Sequence, residues 1–181
     1  TEVVDSLEHL EHERAREALK AHGLQRSIEI SSCGDAQGNT GLGSSGSYLV
    51  ALLNAIRHYK KEQCSPQELA EEACEIEINR LGYPVGKQDQ YISAFGGLRV
   101  LDIAATGKVN VKNVNLEYGS LLELINNLHI YFLKKKRNAS NILTKLDIPN
   151  QGNDERMLKV KELGYKTLDI LESQNFDDYG L

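Results

Sequence analysis

The sequence predicts a mixed α/β domain of the α+β class, and three observations support this. A glycine- and serine-rich segment at residues 38–47 runs directly into apolar residues at helical spacing. A second helix has a complete start signal at residues 65–68, and alternating strand patterns follow from residue 98 onward. With 181 residues, of which 40% are hydrophobic and 26% charged, the chain can bury one core.

The first half of the chain is predicted to be helix, strand and helix. Residues 4–22 read as a charged helix, and residues 26–33 alternate like a strand that places Ile28 and Ile30 on one face. The glycine-rich segment opens a helix that extends to about residue 60. We expect one face of this helix to pack on a sheet, with these apolar residues: Leu49, Val50, Leu52, Leu53 and Ile56.

Residues 65–81 are predicted to form the next helix. Ser65 is a favourable N-cap, Pro66 suits the first helical position, and Glu68 completes a capping box. A glycine- and proline-containing turn follows, and a short helix is expected after it.

The second half is predicted to contain three strands and a long helix. The strand patterns cover residues 98–103, 108–114 and 128–133, and residues 153–173 read as an amphipathic helix. No internal repeat or clear linker interrupts the chain.

Composition limits the classes of partner. A net charge of −5 argues against a general nucleic-acid or membrane-surface partner, because both require a basic field. The sequence has no apolar run of transmembrane length. Three cysteines without paired spacing favour reduced thiols, so we expect a cytoplasmic protein.

The glycine-rich segment has the features of a phosphate-binding loop. The first turn of a helix carries unpaired backbone N–H groups and a partial positive charge, which attract anions. Glycines leave room for a phosphate and serines add hydroxyl groups. The candidate nucleotide-binding residues are Gly38, Gly41, Leu42, Gly43, Ser44, Ser45 and Gly46.

Two common nucleotide motifs do not account for this loop. Gly38 and Gly43 have P-loop spacing, but Ser44 and Ser45 stand where that motif requires Lys followed by Ser or Thr. No acidic residue at a convincing strand end follows about twenty residues on, as the dinucleotide fingerprint requires. A plain turn at the start of a helix explains these residues equally well.

Two further segments indicate a family. The loop GLGSS, the segment GKQDQY with AFGG at residues 86–97, and the run FLKKKRNASNIL at residues 132–143 occur in this order. Together they resemble the GHMP family of small-molecule kinases, and within it the branch that acts on heptose 7-phosphate. The family's first and third glycine-rich motifs are not in this sequence, so we interpret it as the interior of a longer kinase.

The resemblance implies a fold and its division into domains. It implies the GHMP kinase fold, with a left-handed βαβ N-terminal domain at residues 1–115 and the start of a ferredoxin-like C-terminal domain at residues 116–181. Parallel crossovers are almost always right-handed, so only the resemblance supplies this handedness.

The resemblance also assigns a metal site and a base. The family's Mg²⁺ ligands match Ser45 and Glu77, and hard oxygen ligands suit this ion. Glu77 lies three residues after Cys74 and four after Ala73, so it can point inward. Asp89 matches the general base, because an ionised carboxylate can accept the proton of the attacking hydroxyl. A helix-capping aspartate in a turn is the alternative interpretation of Asp89.

The implied function is transfer of the γ-phosphate of ATP to the anomeric hydroxyl of a heptose 7-phosphate. Arg137 is the expected ligand of the sugar phosphate, since guanidinium groups match phosphate oxygens. Lys87 and Gly97 are further substrate candidates. Two alternatives stay open: a kinase for another sugar such as fucose or galactose, and a fragment that binds a nucleotide or sugar phosphate without turnover. The expected partners are thus small molecules, and a homodimer is left open.

Overall fold

The structure, a computed structural model, describes residues 2–34, 41–131, 151–174 and 176, with the backbone alone at residues 151–154. These residues divide into two compact units, one within residues 2–96 and the other within residues 97–176. The first unit is helical, and the second contains helices and a small sheet. In the described ranges no helix is both long and apolar enough to cross a membrane.

The described residues of the first unit form four α-helices. They are α1 (Glu13–Ala21), α2 (Ser44–Tyr59), α3 (Pro66–Cys74) and α4 (Gln88–Phe95). A 3₁₀ turn at Leu7–His9 precedes α1, and a π-helical segment at Glu75–Arg80 continues α3. The extent of α2 and the capping box at Ser65 and Glu68 confirm two sequence predictions.

The core of this unit lies between helices. The prediction that α2 packs on a sheet was wrong, because α1, α3 and α4 surround it within the described residues. Short side chains on α1 let the helices approach closely, and branched residues of α2 and α3 fill the space between them. The buried cluster consists of Ala15, Ala18, Leu19, Leu49, Val50, Leu52, Leu53, Ile56, Leu69, Ala73 and Ile76.

Two predictions for the N-terminal segment need correction. The helix predicted at residues 4–22 is broken, because Leu10 adopts an extended conformation and His12 caps a new helix with its own side chain. Residues 26–33 form no strand. A strand needs a hydrogen-bonded neighbour, and the described residues supply none here, which leaves Ile28 and Ile30 exposed.

The second unit begins with an antiparallel hairpin. Strand β1 (Arg99–Ile103) pairs with β2 (Val109–Asn113), with Leu101 opposite Val111 in the register. Both strands were predicted. Gly107 adopts a φ of +80° in the connecting turn, which glycine accommodates without strain.

Two helices complete the described part of this unit. Helix α5 (Tyr118–Asn127) was not predicted, whereas α6 (Gln151–Ser173) confirms the predicted final helix. Residues 128–131 are not a strand, and the rest of the strand predicted at 128–133 lies outside the described residues. The left-handed crossover and the domain boundary at residue 115 stay predictions.

Candidate functional site

The glycine loop ends where α2 begins. Gly41 has a φ of +83° and Gly43 a φ of +68°, and both conformations favour glycine. Gly43 is the N-cap of α2, so Ser44, Ser45 and Gly46 form its first turn. Gly41, Leu42 and Ser45 are exposed, which leaves this helix terminus open to solvent. Gly38 lies outside the described residues.

Asp89 lies directly against this loop. A Cβ atom built on Gly43 would lie 2.9 Å from Asp89 Cγ and 3.2 Å from each carboxylate oxygen. A Cβ atom on Gly46 would lie 2.9 Å from Asp89 Cβ and 3.3 Å from its backbone carbon. The structure therefore brings together the loop and the carboxylate that were selected from separate segments of the sequence.

A pair of serine hydroxyls also connects the loop helix to α4. Ser47 of α2 lies 2.9 Å from Ser93 of α4, oxygen to oxygen. The Ser93 hydroxyl also donates a hydrogen bond of 2.6 Å to the backbone oxygen of Asp89. The second turn of α4, which contains Ser93, is thus attached to the first turn of α2 on the exposed side of the site.

Glu77, in the π-helical segment, is fully buried. Its Oε1 accepts a hydrogen bond of 2.6 Å from Nε of Arg14, and its Oε2 accepts one from Nε2 of Gln90. Glu75, two residues earlier, is exposed. The ion pair with Arg14 and the amide of Gln90 offset part of the cost of burying this carboxylate.

Arg14 also packs on the Tyr83 ring, and this contact helps to fix its position. Its guanidinium carbon lies 4.7 Å from the centre of the Tyr83 ring, and the Tyr83 hydroxyl donates a hydrogen bond to Glu13. Burial raises the pKa of Tyr83, and the hydrogen bond to Glu13 raises it further. Tyr83 therefore stays protonated at neutral pH and keeps its donor role.

The oxygen chemistry at Ser45 and Glu77 suits Mg²⁺, but Glu77 is closed off. An ionised carboxylate has about four lone-pair positions, and the two described hydrogen bonds use one on each oxygen. Because Glu77 has no exposed surface, a metal ion could reach its remaining lone pairs only after neighbouring groups move. Among the side chains that the structure describes, no group of three or more His, Cys, Asp or Glu residues forms a metal cluster.

Of the three predicted substrate residues, two lie among the described residues. Lys87 directly precedes α4. Gly97 is exposed, has a φ of +68° and belongs to the second unit. Arg137 lies outside the described residues. All of these assignments stay predictions.

Arg14 and Gln90 were not predicted from the sequence as site residues. Arg14 stands four residues before the buried Ala18, so its helix position places it at the edge of the packed face. Gln90 directly follows Asp89, and only its burial beside Glu77 distinguishes it from the exposed Gln88. Helical spacing could have indicated Arg14, but nothing in the sequence alone indicated Gln90.

Comparison with known proteins identifies the family. Residues 8–97, which include the loop, Glu77 and Asp89, match the family described as GHMP kinases N terminal domain. Over 116 residues, 64% of the chain, the sequence is 28% identical to the D-glycero-alpha-D-manno-heptose 7-phosphate kinase of Campylobacter jejuni. The chain spans about a third of that relative, 34% of its length. No solved structure matches the chain. Through its residues 8–97, the chain belongs to the GHMP kinase family.

Proposed function

We propose that this chain is part of an ATP- and Mg²⁺-dependent sugar kinase that phosphorylates a heptose 7-phosphate at its anomeric hydroxyl. The observation that carries the proposal is the contact of Asp89 with Gly43 and Gly46 at the start of α2. Phosphoryl transfer depends on placing a nucleotide phosphate and an acceptor hydroxyl side by side. An anion site next to an aspartate provides both halves of that arrangement.

The chain's own residues suggest a division of roles. The N–H groups of the first turn of α2, together with the hydroxyls of Ser44 and Ser45, would bind phosphate oxygens. Asp89 would orient the acceptor hydroxyl and accept its proton late in transfer. Ser45 and Glu77 would hold Mg²⁺, which when bound would neutralise phosphate charge.

The choice of substrate depends on the relative rather than on the described geometry. The matched protein from Campylobacter jejuni is a kinase of D-glycero-alpha-D-manno-heptose 7-phosphate. We extend that substrate to this chain because residues 8–97, which match the family, contain the loop, and because the GKQDQY segment resembles the branch that acts on heptose 7-phosphate. Arg137 would bind the 7-phosphate, while Lys87 and Gly97 would border the sugar.

The test is phosphate transfer by the full-length protein with ATP and Mg²⁺ over a panel of sugars, including heptose 7-phosphate, fucose and galactose. The Asp89→Asn variant should lose about a hundred- to ten-thousandfold in kcat while ATP still binds. Asp102→Asn is the matched control, because Asp102 is an exposed aspartate of β1 outside the proposed site.

Each alternative result has a defined meaning. Transfer to fucose or galactose instead of the heptose would keep the kinase mechanism and reject the substrate. ATP binding without transfer to any sugar would reject the enzyme and favour a module that only binds a nucleotide or sugar phosphate. Full activity of Asp89→Asn would reject Asp89 as the base.

A further inference from the structure

Gln90 is an unusual residue at this position, because its amide is buried and only half satisfied. Its side chain is 2% exposed, and its Nε2 donates a hydrogen bond to Oε2 of Glu77. Its Oε1 has no hydrogen-bond partner among the described residues. A buried acceptor without a partner costs about 1–3 kcal/mol.

That cost argues against a purely packing role. Methionine or leucine would fill a similar volume without burying a polar group. The feature that an apolar residue could not reproduce is the hydrogen bond to Glu77. The burial of an amide here therefore points to a need for that bond.

The backbone of Gln90 also lies close to the first turn of α2. A Cβ atom on Gly46 would lie 3.4 Å from the backbone nitrogen of Gln90, just beyond its contacts with Asp89. The side chain of Gln90 is thus hydrogen-bonded to Glu77, while the backbone of Gln90 lies close to Gly46. Any shift of Gln90 would move Asp89, its covalent neighbour.

The far end of this hydrogen bond is fixed. Glu77 is held by Arg14 of α1, and Arg14 packs on the Tyr83 ring. The first turn of α4 has no side-chain cap of its own in the described structure. An eight-residue helix without a cap depends on contacts such as this one to keep its position.

We propose that Gln90 is a positioning residue for Asp89: by bonding to the Arg14–Glu77 pair, it holds the first turn of α4 against Gly43 and Gly46. The inference rests on the proposed kinase function, since it assigns to Gln90 the placement of the base in that reaction. Gln90 touches no substrate in this scheme. It acts only through the backbone that it shares with Asp89.

The test compares Gln90→Glu with Gln88→Glu in the full-length protein. Both variants make the same chemical change in the first turn of α4, but Gln88 is exposed while Gln90 faces Glu77. We expect Gln90→Glu to lower kcat about ten- to a hundredfold with little change in the KM for ATP, because the base is misplaced while the phosphate loop remains. Gln88→Glu should stay within about twofold of the parent protein.

A second variant covers the case in which a buried second carboxylate unfolds the protein. Gln90→Met removes the hydrogen bond without adding charge, and it should show the same loss in kcat while the protein remains folded by circular dichroism. Backbone hydrogen exchange gives a readout that does not depend on activity. Exchange should rise in residues 43–47 and 87–95 of Gln90→Met and not in Gln88→Glu.

The readouts separate the inference from the proposed function. If the parent protein transfers phosphate to no sugar, the proposed function fails, and hydrogen exchange alone decides whether Gln90 holds α4 against the loop. Unchanged exchange in folded Gln90→Met would overturn the inference. So would a loss of activity no larger than the fraction of protein unfolded at the assay temperature.

Discussion

Gly43 and Asp89 are so close that no side chain fits between them. A Cβ atom on Gly43 would lie 2.9 Å from Asp89 Cγ, closer than real Cβ atoms come to their neighbours. The backbone at Gly43 also has a φ of +68°, which only glycine adopts without strain. Glycine is therefore required at position 43 for two separate reasons: the positive φ of the turn, and the space that the Asp89 carboxylate occupies beside it.

Replacing Gly43 by alanine should disturb the loop and displace Asp89 together. Gly41→Ala is the matched control, because Gly41 also has a positive φ but has open space where a Cβ would lie. Each change should cost about 1–2 kcal/mol of folding stability for the left-handed backbone, measured by urea unfolding. Gly43→Ala should in addition lower kcat well below that of Gly41→Ala, and equal rates for the two variants would contradict the role of the contact.

Gly46→Ala tests close approach without backbone strain. In an ordinary helix, glycine to alanine stabilises by about 0.8–1 kcal/mol. At Gly46 the new Cβ would meet Asp89 Cβ at 2.9 Å and its backbone carbon at 3.3 Å, so we expect destabilisation instead. Gly164→Ala in α6, where a Cβ meets nothing within 4 Å, should show the ordinary gain. Thermal unfolding of both variants measures the difference, and a gain at Gly46 would show that α4 moves away freely.

The Arg14–Glu77 pair should be strongly coupled. Arg14→Met leaves a fully buried carboxylate with Gln90 as its one remaining described donor, and removing one partner of a buried pair costs about 3–5 kcal/mol. Adding Glu77→Gln should recover part of this loss, since no buried charge then remains. Lys20→Met is the control, because Lys20 pairs with Glu8 at the surface and such pairs contribute at most about 1 kcal/mol. Additive losses in a double-mutant cycle measured by urea unfolding would mean that the two side chains are not coupled.

Cys74 should make stability fall at alkaline pH. Burial raises the pKa of its thiol from 9.0 to about 12, so above pH 9 the thiol ionises more readily in the unfolded chain than in the folded one. Its contribution is therefore complete below pH 9 and is lost as the pH rises toward 12. Urea midpoints between pH 8 and about 10.5, measured with a reducing agent, should fall less steeply for Cys74→Ala than for the parent protein. A slope for Cys74→Ala that runs parallel to that of the parent protein would rule out this thiol as a cause.

Local signals predicted the elements that depend on nearby residues. The capping box at Ser65 and the apolar spacing of α2 act within a few residues, so they could be read from the sequence. The strand predicted at residues 26–33 has the right alternation, but a strand is defined by its neighbour, and alternation carries no information about one. The break before α1 has a similar origin, because His12 is an uncommon cap and no standard start signal marks it.

The candidate site was predictable in its parts but not in its connections. The loop and Asp89 were both identified by motif, and Glu77 by the family resemblance together with its position on a helical face. That Glu77 bonds to Arg14, 63 positions earlier in the chain, depends on how α1 packs and has no local signature. Gln90 was not predicted for the same reason, since the sequence does not show whether Gln88 or Gln90 is the buried glutamine.

In the π-helical segment at Glu75–Arg80, the number of residues matters as much as their identity. Its hydrogen bonds span one residue more than those of an α-helix, as in the 3.0 Å bond from the Leu81 nitrogen to the Ile76 oxygen. Losing a single residue from this turn would restore a regular helix and rotate one side of it relative to the other by about 100°. The Glu77 side chain and the segment that leads to Asp89 would then be turned in different directions. Relatives that share this arrangement should therefore accept many substitutions between the two acids, but few insertions or deletions.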